Sequence, residues 1–429
     1  MVLVLVLCGA CDRPCAADHL PDAPGAGPGE VRRGFVMVSN ELDLAATSDG
    51  VACLSCDTIF YFDGALREQR RVAAALAGSG KLAAGNAAVI GEQTYVLDFD
   101  RGKDPDHGDD FYRAPNYQLF ALSSSGEELW RNDLGDGEAW TGDLAPLGPI
   151  GPHRASVSIA AGPGGVALHG EPLGSLFDTQ GRIVWTTPTD GYDAVVPDAS
   201  YGLFVAGHGP NTAAGDPQAE LRRLGSEGNL VWTATWSTTH TPPIVAGGEI
   251  VFTGAARTAS GGFLVAGLFS TATLDTGGRI LQGPNDPLPG DDFANFVAAI
   301  DNQGVTQWAY PVGGRKVNDG YVNLLQVAAV GDGAVICGDY GGSNALGLPS
   351  PGTTIKAFVA HVQASGQIAA YPIQGTGELH CAGLATAPDG SAIVAVQSSH
   401  DPGPGTLSIG SQTFSADAQD EFFVLNIAL

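Results

Sequence analysis

Residues 296–312 contain the pattern that most constrains the fold of this chain. Two alternating apolar segments flank the turn Asp301-Asn302-Gln303-Gly304, and Trp308 follows shortly after the glycine. Alternation with a period of two is typical of strands that bury one face. Glycine readily adopts the positive φ that tight hairpin turns require. The segment therefore predicts a β-hairpin, and related hairpins recur along the chain.

The recurring hairpins keep a glycine and an aromatic residue at fixed places. The glycine and tryptophan pairs are Gly126 and Trp130, Gly181 and Trp185, Gly228 and Trp232, and Gly304 and Trp308. The same residue at the same position of successive repeats is what packing between repeats demands. We therefore assign the glycines to turn geometry and the tryptophans to packing. A stripe of aromatic residues for a ligand is the alternative.

A second type of hairpin, built from small apolar residues, precedes the aromatic hairpins. Residues 325–340 and 384–396 are the clearest examples and are rich in Ala, Val and Gly. Small residues suit strands near a crowded central axis, whereas bulky ones suit the wider gaps further out. The double hairpins begin near residues 42, 81, 155, 194, 244, 322 and 380. They predict an all-β fold, a seven-bladed β-propeller of four-stranded antiparallel blades, with an extra hairpin within 271–292 in the fifth blade.

The two ends of the sequence predict how this ring closes. The last blade stops at Leu429, one strand short, and residues 34–39 form an alternating segment without an assigned partner. We expect this N-terminal strand to complete the last blade from outside. That arrangement would remove the two open sheet edges that a ring cut at one point exposes.

The repeat also carries a family resemblance. The pattern Phe-Val-Ala-x-Ile/Val-Asp-x-x-Gly-x-Val/Leu-x-Trp, preceded by inner strands such as 265–270, is similar to bacterial β-propeller repeat proteins. It also resembles the tryptophan-docked blades of the quinoprotein group. The resemblance covers residues 40–429 approximately. It implies a propeller fold, but it implies little about function because propellers carry unrelated activities.

The first eleven residues are an apolar run that is too short to span a bilayer. They resemble a secretory signal that ends in a bacterial lipobox, with Cys11 as the lipidated residue. Cys8 in the usual place of Leu, and the lack of Lys or Arg before the run, depart from that pattern. Residues 12–33 predict a flexible tether, and 34–429 predict one propeller domain. We therefore expect a protein anchored by lipid in the bacterial cell envelope.

The cysteines fit an exported protein, because disulfides persist outside the cytoplasm. Cys337 and Cys381 lie at similar places in neighbouring repeats, so we expect them to pair. Cys53 and Cys56 have the spacing of a redox motif, but no βαβ pattern surrounds them. A zinc site would need a second pair of cysteines with suitable spacing, and the sequence contains none.

The net charge is −26, from 46 acidic and 20 basic residues. Such a charge repels nucleic acid and anionic membrane surfaces, so we expect no nucleic-acid partner and membrane contact only through the lipid anchor. Carboxylates are densest in one segment, which predicts a candidate calcium site formed by Asp98, Asp100, Asp104, Asp106, Asp109 and Asp110. The segment lacks the order of an EF-hand loop, and a solvated acidic loop is the alternative.

Other candidate site residues are isolated. The sequence contains no H-E-x-x-H or G-x-S-x-G motif. His208, His240 and His380 lie near blade starts, where a side chain can face the central channel, and a structural role is the alternative. Trp140 and Trp236 lie outside the repeat position and are candidates for an exposed contact.

The sequence lacks a nucleophile, base or metal constellation, which favours a non-catalytic binding scaffold. We expect an extracytoplasmic monomer without cofactor whose partner is a protein or a glycan. An assembly factor, similar to the propeller lipoprotein of the outer-membrane barrel-assembly machine, is one alternative. A quinoprotein-like dehydrogenase, or another enzyme with an axial site, is the other. Inner strands made mostly of Ala, Val and Gly argue against the polar cluster that such an enzyme needs.

Overall fold

The computed structural model describes residues 17–19, 27–38, 42–46, 50–55, 58–73, 86–90, 93–100, 116–136, 158–162, 165–170, 173–188, 192–198, 200, 202–213, 215–239, 250–283, 293–316, 320–342, 346–352, 354–399, 405–416 and 421–429. All regular elements in these ranges are β-strands, which are numbered in chain order. Nowhere in these ranges is there a helix with the length and apolar character that crossing a membrane requires.

The strands form antiparallel sheets in a propeller arrangement, as predicted, and three of the sheets are four-stranded. Sheet 1 contains β3 (Leu42–Ala46), β4 (Gly50–Ser55), β5 (Thr58–Asp63) and β6 (Glu68–Ala73). Sheet 2 contains β7 (Asn86–Ile90), β8 (Gln93–Asp100), β9 (Asn116–Leu122) and β10 (Glu128–Asp136). Sheet 3 contains β11 (Ser158–Gly162), β12 (Gly165–Gly170), β13 (Leu173–Phe177) and β14 (Ile183–Pro188).

Sheet 4 has six strands, because an inserted hairpin lies on its outer edge. It contains β15 (Tyr192–Pro197), β16 (Leu203–Gly209), β17 (Gln218–Leu224), β18 (Leu230–Thr239), β21 (Thr273–Asp275) and β22 (Ile280–Gln282). The hairpin β21–β22 pairs with the end of β18, where Ser237 lies opposite Asp275. The extra hairpin expected within 271–292 is therefore present, and it extends the sheet before its own.

Sheet 5 has ten strands. Its first half contains β19 (Ile250–Arg257), β20 (Phe263–Phe269), β23 (Phe293–Ile300) and β24 (Thr306–Lys316). Its second half contains β25 (Gly320–Val330), β26 (Gly333–Gly342), β27 (Lys356–Val362) and β28 (Ile368–Gly375), with the hairpin β31 (Gly405–Ile409) and β32 (Gln412–Ala416) on its outer edge. The halves are joined where Arg315 and Lys316 of β24 pair with Tyr321 and Gly320 of β25.

Sheet 6 closes the ring with strands from both ends of the chain. Its order is β29 (Glu378–Thr386), β30 (Ala392–Ser399), β33 (Glu421–Ile427), β2 (Val31–Val38) and β1 (Ala17–His19). Strand β2 pairs with β33, with Phe35 opposite Val424, so the predicted closure by an N-terminal strand is present. Strand β1 and the start of β2 lie within the segment that the sequence predicts to be a tether. Their backbone groups pair in this sheet.

The expectation of seven separate four-stranded sheets is wrong in two respects. The described strands form six sheets, and the strand number varies from four to ten. The cause is extra pairing at the outer edges, where β24 continues into β25 and where the two inserted hairpins add strands. Near the axis the arrangement is regular, because β3, β7, β11, β15, β19, β25 and β29 each contact the next and β29 contacts β3.

The core lies between neighbouring sheets, because side chains alternate across each strand. In β5, Ile59 and Tyr61 pack toward sheet 2, whereas Phe60 and Phe62 pack toward sheet 6. Phe60 is 1% exposed, and burying such a side chain contributes roughly 1.5–3 kcal/mol. Each sheet is thus held by apolar contacts on both faces, so the ring depends on all of its sheets.

The ring has two ends, because connections in an antiparallel meander alternate between opposite ends of the sheet. At one end, which we call the turn end, strands are joined by tight turns such as 178–182, 225–229 and 301–305. At the other, the connection end, the second and third strands are joined by segments such as 101–115, 270–292 and 400–420. Repeated features of the sequence therefore lie at the turn end, and features that do not repeat lie at the connection end.

Candidate functional site

The repeated tryptophans cover turn glycines of the following sheet. The Trp130 ring lies on Gly181, where an added Cβ would be 2.4 Å from a ring carbon. Gly181 has a φ of 77°, which side chains other than glycine rarely adopt. The indole Nε1 of Trp130 donates a hydrogen bond to the Thr179 carbonyl at 3.0 Å. The ring and the turn thus form one contact between sheets 2 and 3.

The same contact recurs around the turn end. Trp232 donates to the Asn302 carbonyl at 2.9 Å and covers Gly304, and Trp185 covers Gly228 in the same way. Trp308 is buried and stacks on Tyr310 at 5.6 Å between ring centroids, and the Tyr310 hydroxyl donates to the Ala364 carbonyl at 2.8 Å. The structure therefore places the first three predicted tryptophans in packing between sheets. Trp308 packs between the two halves of sheet 5.

Gly126 differs from the other turn glycines in what covers it. Its φ is 86°, and an added Cβ would be 2.1 Å from a methyl group of Val72. Val72 belongs to β6, the outer strand of sheet 1, where the degenerate first repeat has no tryptophan. An aliphatic side chain thus takes the place of the aromatic ring between sheets 1 and 2.

A row of exposed aliphatic residues lies beside the turn end, on the outer strands of sheets 2, 3 and 4. Leu129 is 44% exposed, Ile183 47%, Val184 38%, Leu230 56% and Val231 50%. They occupy the places directly before the repeated tryptophans. We call this set the apolar row. Sequence reasoning missed it, although adjacent apolar residues there break the alternation that a half-buried strand needs.

A charged cluster lies at the connection end, where β26 meets β29. His380 Nδ1 is 2.7 Å from Asp339 Oδ2, and Nε2 is 3.7 Å from Glu378 Oε2. Asp339 is buried, and its Oδ1 also accepts the Cys381 backbone N–H at 2.8 Å. An ionised carboxylate only accepts hydrogen bonds, so Nδ1 carries a proton. His380, one of the three histidines selected from sequence, is thus held between two carboxylates.

The electrostatics of this cluster favour a protonated imidazole. The hydrogen bond to Asp339 raises the pKa of His380, burial opposes it, and the charges of Asp339 and Glu378 add to the increase. Both ring nitrogens face a carboxylate, so the arrangement holds a proton and leaves no ring nitrogen directed at a substrate. The folded protein therefore keeps the proton on His380 to a higher pH than an unperturbed histidine would.

Lys356 supports the same region from β27. Its ammonium donates to the Gly375 carbonyl at 2.8 Å and to the Gly377 carbonyl. Burial lowers the pKa of Lys356, and the charge of Glu378 partly offsets that effect. The amine thus fixes the segment that leads into β29 and the charged cluster.

Cys337 and Cys381 form a disulfide between β26 and β29, with 6.1 Å between their Cα atoms. Their side chains point into the apolar core between sheets 5 and 6. The disulfide is therefore a covalent connection between neighbouring sheets, and it lies directly beside the Asp339–His380 pair.

Two other predicted residues have clear positions. His208 lies 3.8 Å from Asp193 at the end of β16 and is 44% exposed. Trp236, expected in an exposed contact, is 1% exposed, so that expectation is wrong. It packs against Phe252 and Phe296 between sheets 4 and 5, because β18 continues past its tryptophan repeat and is covered by the next sheet.

Several predicted residues lie outside the described ranges. They are Cys11, Asp104, Asp106, Asp109, Asp110, Trp140 and His240. Asp98 and Asp100 are in β8, opposite Gln118 and Asn116, so the acidic segment starts at the connection end. Within the described part of the chain, no group of three or more His, Cys, Asp or Glu side chains is arranged to hold a metal.

Comparisons with known proteins do not identify a family. No family model matches the chain, and no curated protein matches it. A member of the DUF4221 family from Bacteroides vulgatus is similar at a TM-score of 0.40 and 11% identity, over 86% of this chain and 98% of that one. A protein of unknown function from Bacteroides caccae gives 0.33 and 13%, over 71% and 87%. The Pan2 WD40 domain of Neurospora crassa gives 0.35 and 11%, over 80% and 89%. Likeness at this level carries no argument about this chain.

Proposed function

We propose that this protein is a non-catalytic scaffold that binds a protein partner outside the cytoplasm. The observation that carries the proposal is the apolar row on β10, β14 and β18, whose side chains are 38% to 56% exposed. Exposed apolar side chains that recur at one position of successive sheets can form an interaction surface. Burying these side chains against a partner would remove apolar surface from water and stabilise the complex.

The chemistry of the row favours a protein over a glycan. Leu, Ile and Val side chains offer no hydrogen bonds to sugar hydroxyls, and covering a hydroxyl without a partner is costly. An apolar face of a protein can be buried against the row without covering an unpaired hydroxyl. An outer-membrane assembly factor is one role that such a scaffold can take, and the identity of the bound partner would decide it.

We place the protein in the bacterial envelope, as a monomer anchored through a lipid on Cys11. The Cys337–Cys381 disulfide supports an oxidising compartment, and the signal-like start of the sequence supports export. We retain calcium as a candidate ligand of the segment from Asp98 to Asp110 and propose no other cofactor.

We further propose that the ring has seven blades of quinoprotein-like, tryptophan-docked type, with each half of sheet 5 serving as one blade. The closed series of contacts among β3, β7, β11, β15, β19, β25 and β29 supports this count. The pairing of β24 with β25 then joins two neighbouring blades.

The blade count can be tested by interrupting this pairing. Inserting Gly-Ser after Lys316 should leave the ring closed, as measured by small-angle scattering, and an opened ring would contradict the proposal.

Site-specific photocrosslinking tests the binding function. A photoreactive residue is placed at Val231 in the apolar row or, as a control of the other end, at exposed Ser350 in the connection from β26 to β27. In the envelope fraction of a bacterial host we expect one discrete protein adduct from Val231 and none from Ser350. Adding Ile183→Lys should remove the adduct while the melting temperature is kept, because exposed substitutions change stability little. Adducts from both positions, or none, would contradict the proposal.

Compartment and anchor are tested separately. Thiol trapping in intact cells should find Cys337 and Cys381 oxidised, and intact-mass analysis should find a lipid that Cys11→Ser removes. Reduced thiols would place the protein in the cytoplasm. A mature chain that retains residues 1–10 would exclude lipidation, since lipid is added as the signal is cleaved before Cys11.

A further inference from the structure

A cavity of about 430 Å³ opens at the turn end, between the ends of the inner strands β19 and β25. It is lined by Arg257, Thr258, Ala259, Ala329 and Gly331. A Cβ added at Gly331 would meet no atom within 4 Å, which agrees with open space on that side. The volume lies in the range of pockets that bind small molecules.

Arg257 is the one charged residue among the described residues that line this cavity, and no ion pair joins it to a described carboxylate. Its Nε atom is buried without a hydrogen-bond partner among the described residues. Six other described arginines pair with a carboxylate, namely Arg32, Arg71, Arg131, Arg182, Arg222 and Arg223. In a chain with a net charge of −26, a half-buried arginine without an acidic partner among the described residues is available to bind an anion.

The neighbouring polar groups do not supply the missing partner. The Thr258 hydroxyl shares a hydrogen bond with Ser260 Oγ at 3.0 Å. Asp332, which follows Gly331 in the chain, interacts with His361. Buried polar atoms of native proteins are nearly always paired, so the described residues leave the Arg257 guanidinium with hydrogen-bonding capacity that a ligand bound beside it can use.

We propose that this cavity binds a small organic carboxylate, with the Arg257 guanidinium as its anchor. A planar guanidinium presents paired N–H groups that match the two oxygens of a carboxylate. The remaining walls are formed by Ala259, Ala329 and Gly331, which fit the uncharged body of such a molecule. The strongly negative field of the protein disfavours anions of higher charge, so a monocarboxylate fits better than phosphate.

The test follows the ¹⁵N Nε–Hε resonance of Arg257, which is assigned by its disappearance in Arg257→Lys. D-glucuronate is the probe, with glucose as the neutral control, inorganic phosphate as the other oxyanion, and chloride keeping the ionic strength constant. We expect a saturable shift with glucuronate only. Ala329→Leu, which fills the cavity and keeps the arginine, should abolish the shift. Saturation by phosphate alone, or an equal, unsaturable drift with every salt, would overturn the proposal.

A second measurement separates loss of the site from loss of the fold. Arg257→Gln should keep the melting temperature in buffer and lose the increase in melting temperature that glucuronate causes in the unmodified protein. An equal increase in both proteins would overturn the assignment to Arg257. The result is independent of the apolar row, because a variant such as Ile183→Lys should bind glucuronate normally even if no protein partner exists.

Discussion

The two ends of the ring are stabilised in different ways. At the turn end, one contact is repeated, in which an aromatic ring covers the turn glycine of the next sheet, as Trp130 covers Gly181 and Trp232 covers Gly304. At the connection end, the contacts between sheets 5 and 6 occur once: the Cys337–Cys381 disulfide, the Asp339–His380 pair and the Lys356 ammonium. Repeated contacts spread stability over many sheets, whereas a single contact makes one junction sensitive to redox state and pH.

The disulfide offers the largest test of this difference. It closes a loop with a sequence separation of 44 residues, for which chain entropy gives about 4 kcal/mol. Replacing both Cys337 and Cys381 by Ala should lower the free energy of unfolding by roughly that amount, measured by urea denaturation. A reductant should weaken the unmodified protein and leave the double variant unchanged. An unaltered midpoint in reductant would contradict the role assigned to the disulfide.

The turn glycines test the repeated contact. Gly181→Ala introduces a Cβ at a φ of 77° and 2.4 Å from the Trp130 ring, so strain and overpacking together should cost about 2–4 kcal/mol. Gly261→Ala is the matched control, because Gly261 has a φ of 85° but no atom within 4 Å of an added Cβ. It should cost about 1–2 kcal/mol, from strain alone. Equal losses in the two variants, measured by urea unfolding, would exclude the ring contact as a source of stability.

The hydrogen bond within the repeated contact has a smaller effect. Tyr310→Phe removes the donor to the Ala364 carbonyl and should cost about 1 kcal/mol. Tyr371→Phe is the control, because the Tyr371 ring lies on Gly29 in the same manner while its hydroxyl has no partner in the described part of the chain. Its loss should be close to zero. Similar melting temperatures for both variants would show that the contact depends on the ring and not on the hydroxyl.

The sequence predicts the turn end much better than the connection end. A glycine with a tryptophan after it is a local pattern with a direct physical cause, so Gly181, Trp185, Gly304 and Trp308 could be assigned from the sequence. The partner of His380 could not be, because Asp339 lies on another sheet and its approach depends on how β26 packs on β29. The pairing that joins the two halves of sheet 5 could not be predicted either. The contact of Arg315 with Tyr321 depends on how far β24 extends, which the local sequence pattern does not determine.

The charged cluster gives an effect that depends on pH. Because the pKa of His380 is raised in the folded protein, the folded state binds more protons than the unfolded state at pH values above the ordinary 6.5 of histidine. The stability contributed by the Asp339–His380 pair is therefore fully present below that pH and is lost as pH rises through the folded pKa. His361 behaves in the opposite way, because burial lowers its pKa, and its contribution is lost only as pH falls below 6.5.

The two histidines thus act in separate pH ranges, and a variant can isolate the first. His380→Asn should flatten the decline in the free energy of unfolding above neutral pH and leave the slope below pH 6.5 unchanged. The decline that is removed should amount to about 1.4 kcal/mol for each unit by which the folded pKa of His380 exceeds its unfolded value. Urea denaturation from acidic to alkaline pH measures both slopes. If the unmodified protein became more stable as pH rose above neutrality, Asp339 would not be holding a proton on His380, and the junction of sheets 5 and 6 would owe its strength to the disulfide and Lys356.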